Sequence, residues 1–144
     1  MGSMDLVQLK TANSSALRDI NTLLRQISTR VRLCTIEMLK KIVKSPETEV
    51  WVIRAGKEIV GMGTLAIVMR PEGMAARIED IVIRGEERGR GYGTLLLNKL
   101  IEQARLRGAS VVQLTSNPTR AAANKLYQKL GFKLHETNSY FLKL

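Results

Sequence analysis

The stretch "RIEDIVIRGEERGRGYGTLLLNKLIEQARLR" (residues 77–107) joins an apolar strand pattern to a leucine-rich helix pattern. The joint, residues 84–93, holds four glycines (Gly85, Gly89, Gly91, Gly93) and three arginines (Arg84, Arg88, Arg90). A strand that runs through such a turn into a helix builds an anion site. The first amides of a helix lack intrahelical acceptors, and the aligned peptide dipoles add partial positive charge there. Glycine lets a ligand approach the backbone closely, and arginine supplies full charge. The joint is therefore read as a phosphate loop.

Two well-known phosphate loops do not fit. A P-loop requires G-x-x-x-x-G-K-[ST], and no lysine follows a glycine at that spacing. The dinucleotide pattern G-x-G-x-x-G also fails, because Leu96 stands where the third glycine would follow Gly91 and Gly93.

Outward from the joint, the helix pattern places Leu96, Leu97, Leu100, Ile101 and Ala104 on one face. "SVVQLTS" (110–116) returns to strand. "NPTRAAANKLYQKLG" (117–131) then reads as a helix with Asn117 as N-cap, Pro118 in the first turn and Gly131 as the stop. "FKLHE" and "SYFLKL" (132–136, 139–144) read as a terminal pair of strands. Upstream, "LVQLK" (6–10) reads as an edge strand, and Leu17, Ile20, Leu24 and Ile27 mark an amphipathic helix from Asn13 to Ser28. A shorter helix follows over 35–44. "VWVIR" (50–54) and "IVGMGTLAIVM" (59–69) are strands joined by "AGKE", a hairpin signature, and 76–84 adds a third. The order β-α-α-β-β-β-α-β-α-β-β implies a mixed α/β fold, one sheet with helices on both faces.

The chain has 144 residues, enough for one domain with its own core, and "MGS" ahead of Met4 reads as a cloning scar, leaving a domain over 4–144. No apolar run is long enough for a membrane span, and no signal peptide is legible at the N-terminus; a cytoplasmic protein is expected. One cysteine (Cys34) and one histidine (His135) exclude an internal disulfide and make no metal site, and no flanking signature supports a nucleophilic pair. The net charge of +10 calls for an anionic partner. Residues 25–44 carry six basic side chains against Glu37 alone, among them Arg30 and Arg32.

The loop also matches [RQ]-x-x-G-x-[GA], as Arg88-Gly89-Arg90-Gly91-Tyr92-Gly93, directly after a strand. Further on, Asn124-Lys-Leu-Tyr127-Gln-Lys-Leu-Gly131-Phe132 repeats a second signature in the same order. Together these resemble the GNAT superfamily of acetyl-CoA-dependent N-acetyltransferases, over roughly residues 76–133. The resemblance implies a mostly antiparallel sheet of about seven strands with a V-shaped slot for coenzyme A. It implies that the strand at Ile81, Val82 and Ile83 holds the pantetheine arm. The loop residues Arg88, Gly89, Arg90, Gly91, Tyr92, Gly93 and Thr94 would hold the pyrophosphate. Asn117 and Asn124 would line the arm, and Tyr127 would stand by the sulfur as general acid. No metal is implied.

Strict alternation along the strand puts Glu79 with Arg77, Ile81 and Ile83 and turns Asp80 to the other side, so Glu79 is the candidate for binding or deprotonating the acceptor. The base glutamate of histone-acetylating members would fall near Arg77, a departure from that subgroup. "RIEDIVI" with "RGRGYG" is similar to the glucosamine-6-phosphate acetyltransferases, although "TSNPTRAAAN" is longer than theirs. Arg30 and Arg32 are the candidate acceptor-binding cations for an acidic or phosphorylated amine. Partners are then acetyl-CoA and an amine, with a homodimer compatible and no membrane. A silent acetyl-CoA sensor and a basic nucleic-acid-binding domain are the competing readings. An aromatic content of 4% and the lack of any nucleic-acid motif count against the second.

Overall fold

The structure, a computed structural model, describes residues 3–144. Strand β1 (Met4–Gln8) precedes helices α1 (Ser14–Ile27) and α2 (Ile36–Lys44). Strands β2 (Thr48–Ala55), β3 (Glu58–Arg70) and β4 (Gly73–Ile83) follow, then α3 (Tyr92–Leu106), β5 (Val111–Gln113) and α4 (Ala121–Lys129). The strands form one sheet in the order β1-β2-β3-β4-β5, antiparallel except for the parallel β4–β5 pair. Among the described residues no helix is long and apolar enough to cross a membrane.

Local chemistry explains the boundaries. Asn13 accepts from the Ala16 amide at 2.8 Å and Thr35 from the Met38 amide at 3.1 Å, so each early helix starts on a side-chain cap contributing about 1 kcal/mol. The β2–β3 hairpin closes between Ala55 and Glu58, with Gly56 at φ +62° taking the left-handed turn position. Helix α4 stops at Gly131, whose φ of +100° is the left-handed C′ conformation.

The sheet buries both faces. On one, Val50, Val52, Met62 and Val82 pack against Ile20, Leu23, Leu24 and Leu39 of α1 and α2. On the other, Ile53, Leu65, Ala76 and Ile78 pack against Leu96, Leu97 and Leu100 of α3 and Tyr127 of α4. A buried polar anchor ties β2 to α3: Glu49 accepts from Trp51 Nε1 (2.8 Å), Gln103 Nε2 (3.0 Å) and Arg107 Nη1 (2.6 Å).

Two expectations from the sequence fail here. Asn117 is not the N-cap of α4, which begins at Ala121; Asn117 Oδ1 instead accepts from the Thr119 amide (3.0 Å) and hydroxyl (2.8 Å) in a tight turn. Residues 132–136 and 139–144 form no strands, so the sheet has five strands and not seven. From Lys133 onward the chain is exposed and pairs with no strand, although β5 is an edge strand.

Candidate active site

The loop after β4 is built as a cradle. A short 3-10 turn (Gly85–Glu87) leads to Gly89 (φ +79°) and Gly91 (φ +82°), conformations that L side chains rarely adopt. A Cβ built at either would meet nothing within 4 Å, so the space over both is open. Gly91 is the N-cap of α3, and the amides of Tyr92, Gly93 and Thr94 open the helix beneath that space. Gly93 serves packing instead: its Cβ would stand 3.2 Å from Leu126 Cδ2, so α3 and α4 approach there.

The three loop arginines divide the work. Arg84 pairs with Glu58, Glu86 and Glu87, and Arg90 with Glu87 at 2.9 Å. Arg88 has no carboxylate partner among the described residues, and its Nε donates to the Ile83 carbonyl at 3.3 Å. The ion pairs rigidify the turn. Arg88 brings the available charge.

Strands β4 and β5 pair only over Ala75–Arg77 and Val111–Gln113, then part. Between Ile78–Ile81 on one side and Leu114–Asn117 on the other lies a cavity of about 300 Å³, with Tyr127 and Arg120 in its wall. Ser116 Oγ is buried there without a hydrogen-bond partner. An orphaned buried hydroxyl is costly unless a ligand completes it. The open cradle, the helix amides and this hydroxyl fit a long, phosphorylated, amide-bearing ligand such as coenzyme A.

A second cavity of about 350 Å³ lies between α1, α2 and the sheet. Its wall is mainly apolar, with Leu24, Leu33, Met38 and Ile42, and its polar groups include Arg32, Thr35, Thr64 and Asp80. Cys34 lies there too, its thiol pushed up by burial.

Asp80 lines both cavities, the only described residue that does. The β3–β4 register explains how. Met62 faces Val82 but Thr64 faces Glu79, so Asp80 and Ile81 together oppose Gly63 in a bulge. Asp80 takes φ +52°, the only non-glycine residue so placed among those described. A bulge reverses the alternation. Ile78 packs on the α3 face, and beyond the bulge so do Ile81 and Ile83, while Val82 turns to the α1–α2 face.

This corrects the sequence reading that put Glu79 on one face with Ile81 and Ile83 and turned Asp80 away. Two residues side by side in a bulge cannot keep a strict period of two. The signal was available: aspartate tolerates the left-handed region better than most residues, and a glycine stands opposite. A Cβ at Gly63 would come to 2.5 Å from Ile81 Cδ1 and 2.9 Å from Leu100 Cδ1, so the bulge depends on that glycine. Asp80 is exposed to solvent through the cavities, and the protein around it buries its carboxyl only in part. Burial, and then the charge of Glu79, push its carboxyl above the ordinary aspartate range. Glu79 lines the slot, and one of its oxygens is held by Arg77 Nε (3.1 Å) and Nη2 (2.9 Å).

The remaining candidates separate. Tyr127 is buried, edge-on to Phe132 with ring centroids 6.1 Å apart, and its hydroxyl is pushed up by burial, less a contribution from Arg120. Ile81 and Asn117 line the slot, whereas the Val82 side chain is in the core. Asn124 lines neither cavity; its Nδ2 donates to the carbonyls of Asn117 (3.0 Å) and Arg120 (2.9 Å). Arg32 lines the second cavity and Arg30 does not. His135 is exposed in the C-terminal segment, whereas Cys34 lies in the α1–α2 connection, so the structure gives no support to a nucleophilic pair.

A glycine cradle on a helix N-terminus after β4, and a slot where β4 and β5 part, are the parts of a nucleotide-cofactor-binding α/β protein. Residues 17–132 match the model of the acetyltransferase (GNAT) family, and the chain belongs to that family. An uncharacterised N-acetyltransferase of Methanocaldococcus jannaschii is 38% identical over 69 residues, 48% of this chain and 30% of that one. An L-methionine sulfoximine/L-methionine sulfone acetyltransferase of Pseudomonas paraeruginosa is 32% identical over 81 residues, 56% of this chain and 47% of that one. The chain thus spans less than half the length of these two relatives. The crystal structure of a Trypanosoma brucei acetyltransferase superposes with a TM-score of 0.81 at 26% identity, covering 99% of this chain and 100% of that chain.

Proposed function

We propose that the chain is an N-acetyltransferase, moving the acetyl group of acetyl-CoA to a primary amine by direct attack in a ternary complex. The observation that carries this reading is Asp80, the one carboxylate shared between the slot and the second cavity. A base at that junction can take a proton from an amine in one cavity as it attacks a thioester reaching in from the other.

The loop amides of Gly89–Thr94 and the Arg88 guanidinium would hold the pyrophosphate, with Arg90 fixing the turn through Glu87. The free edge of β4 at Ile81–Ile83 and the Ser116 hydroxyl would hold the amide-bearing arm. Bound acetyl-CoA supplies the activated acyl group and a thiolate leaving group. Asp80, raised by burial, accepts the amine proton. Glu79, clamped by Arg77, holds Asp80 in that range and does not itself carry the proton. Tyr127, its hydroxyl kept protonated, donates to the departing sulfur. The attacking amine loses one proton, the thiolate gains one, and thioester becomes amide.

For the acceptor, the mainly apolar wall favours an amine with an apolar body and one anionic group for Arg32, such as an apolar α-amino acid. A hydroxyl-rich sugar phosphate, the lead from the sequence, would find few polar partners among Leu33, Met38 and Ile42. The L-methionine sulfoximine/L-methionine sulfone acetyltransferase relative supports the α-amino-acid part of this reading; the apolar body rests on the cavity wall alone. The test is CoA thiol release over a panel of apolar L-amino acids, glucosamine 6-phosphate, spermidine and a lysine peptide. The expected result is the highest kcat/KM for an apolar amino acid. Preference for the sugar phosphate overturns the acceptor class, and acetyl-CoA binding without turnover on any amine favours the sensor.

A further inference from the structure

Asn21 stands in the middle of α1, where asparagine is a poor helix former, and it lines neither cavity. Its side-chain amide reaches one residue of the α1–α2 connection. Oδ1 accepts from the Cys34 amide at 2.7 Å, and Nδ2 donates to the Cys34 carbonyl at 3.1 Å. The two bonds copy the pairing of one strand residue with its neighbour, in a stretch that has no ladder of its own.

The other hydrogen bonds of residues 29–34 run only to the ends of the same connection. The Arg30 amide donates to Ser28 Oγ at 3.0 Å, the Val31 amide to the Ser28 carbonyl at 3.4 Å, and Cys34 Sγ to the Thr35 carbonyl at 3.4 Å. Val31 and Cys34 add partial packing on the core beneath. Among the described residues no carboxylate pairs with Arg30 or Arg32, so two like charges push this connection toward water. Yet the connection forms one wall of the second cavity, through Val31, Arg32, Leu33, Cys34 and Thr35.

We infer that Asn21 is a positioning residue for the acceptor: by clamping Cys34 it holds the connection where Arg32 and Leu33 complete the cavity wall. The inference rests on the acceptor reading of that cavity. A wall that is in place for only a fraction of the time weakens binding by that fraction. Both bonds are neutral and of ordinary strength, so losing them should lower the ordered fraction, and the apparent acceptor affinity, by about 10- to 100-fold. The acetyl-CoA slot shares only Asp80 with this cavity and should not register the change.

Asn21→Leu tests this, since it removes both bonds at similar volume and favours the helix. Hydrogen exchange of the Cys34 amide, followed by NMR without any substrate, should quicken about 10-fold or more. An unchanged exchange rate overturns the clamp, whatever the cavity binds. With L-methionine as acceptor and saturating acetyl-CoA, KM should rise about 10- to 100-fold. Meanwhile kcat should stay within about threefold and acetyl-CoA affinity should hold, a split that general loss of structure would not give. A fall in kcat or acetyl-CoA affinity with KM unchanged overturns the inference. Asn21→Asp keeps the shape and the bond from the Cys34 amide but loses the donor to its carbonyl. Its KM should lie between parent and leucine variant, and it carries the test if the leucine variant does not fold. Arg32→Ala, measured alongside, separates the two ways of failing. A raised KM for Arg32→Ala but not for Asn21→Leu overturns the clamp and leaves the acceptor reading standing. Faster exchange with KM unchanged in both variants takes the acceptor out of this cavity, and the inference falls with that reading.

Discussion

Asp80→Asn is the sharpest perturbation of the site. It replaces one oxygen by an amide nitrogen and removes the charge while keeping the side chain's shape. Asparagine is as tolerant as aspartate of the left-handed region, so φ +52° is kept and the bulge with it. An alanine there would confuse lost chemistry with backbone strain. A positioned general base contributes about 10²–10⁴-fold. The expected loss in kcat/KM is about 10²–10³-fold, corresponding to about 3–4 kcal/mol of transition-state stabilisation. Acetyl-CoA affinity should not fall, because the change removes a negative charge beside an anionic ligand. The pH profile separates a base from a spacer. Burial and the Glu79 charge raise the Asp80 carboxyl, so the acid limb of kcat/KM lies above the ordinary aspartate range and disappears in the asparagine variant. Glu79→Gln removes the second cause and moves that limb to lower pH. Stability changes in the opposite sense to a salt-bridged acid. Since the folded state binds the proton more tightly, Asp80 costs stability as pH rises through its folded pKa, and Asp80→Asn should melt slightly higher at neutral pH. Stopped-flow thiol release, under conditions where chemistry limits turnover, measures the rate. A variant within threefold of the unaltered protein, with its acid limb intact, refutes the assignment of Asp80 as base.

Gly91→Glu places a side chain and a negative charge in the open cradle at φ +82°, and should abolish the acetyl-CoA-induced rise in melting temperature; a persisting rise puts the cofactor elsewhere. Tyr127→Phe keeps the edge contact with Phe132 and should lower kcat on the order of 10- to 100-fold with acetyl-CoA affinity nearly unchanged; full kcat removes the hydroxyl from the mechanism. Arg32→Ala should raise the acceptor KM about tenfold and Arg30→Ala hardly at all, since only Arg32 lines the second cavity; equal effects would mean a diffuse field, not a contact. Glu49→Ala should cost about 2–4 kcal/mol in urea unfolding, because Trp51, Gln103 and Arg107 lose a common acceptor. Burial alone would raise this carboxyl, but hydrogen bonds from Gln103, Trp51 and Arg107 and the Arg107 charge hold it below the ordinary glutamate range. Its contribution is therefore present above that range and lost as pH falls through the folded value, so the gap between variant and parent should close in acid.

What was legible in the sequence was whatever a single element decides by itself. Glycines at 89 and 91 after an apolar strand and before a leucine helix leave few alternatives, and the cradle stands where they are. The apolar period located α1, α2 and α3, and the "AGKE" turn located the hairpin. What was not legible depended on two elements at once. The side of the strand to which Asp80 turns depends on Gly63 across the ladder, which a count along β4 alone cannot register. The split between Arg88 and Arg90 rests on Glu87, three residues before Arg90. Residues 139–144 carry a short apolar run that reads as a strand, yet they lie exposed and pair with no strand.

The same distinction governs the net charge of +10, which by itself would point to any polyanion. At the cradle much of that charge is already spoken for. Glu58, Glu86 and Glu87 gather Arg84 and Arg90 into a network, and networks of exposed pairs hold geometry more than they add stability. Two acidic residues inside a phosphate loop would be a mistake if the loop worked by bulk attraction. They make sense if it works by preorganised donors: fixed amides of Gly91–Thr94 and the Arg88 guanidinium, held by the Ile83 carbonyl and without a carboxylate partner among the described residues. A nucleic-acid surface gains from every added cation, because each one releases a counterion. A pyrophosphate pocket gains more from donors that need not move when the ligand arrives. The acids in the loop therefore argue for the pocket over the surface, which the total charge could never do.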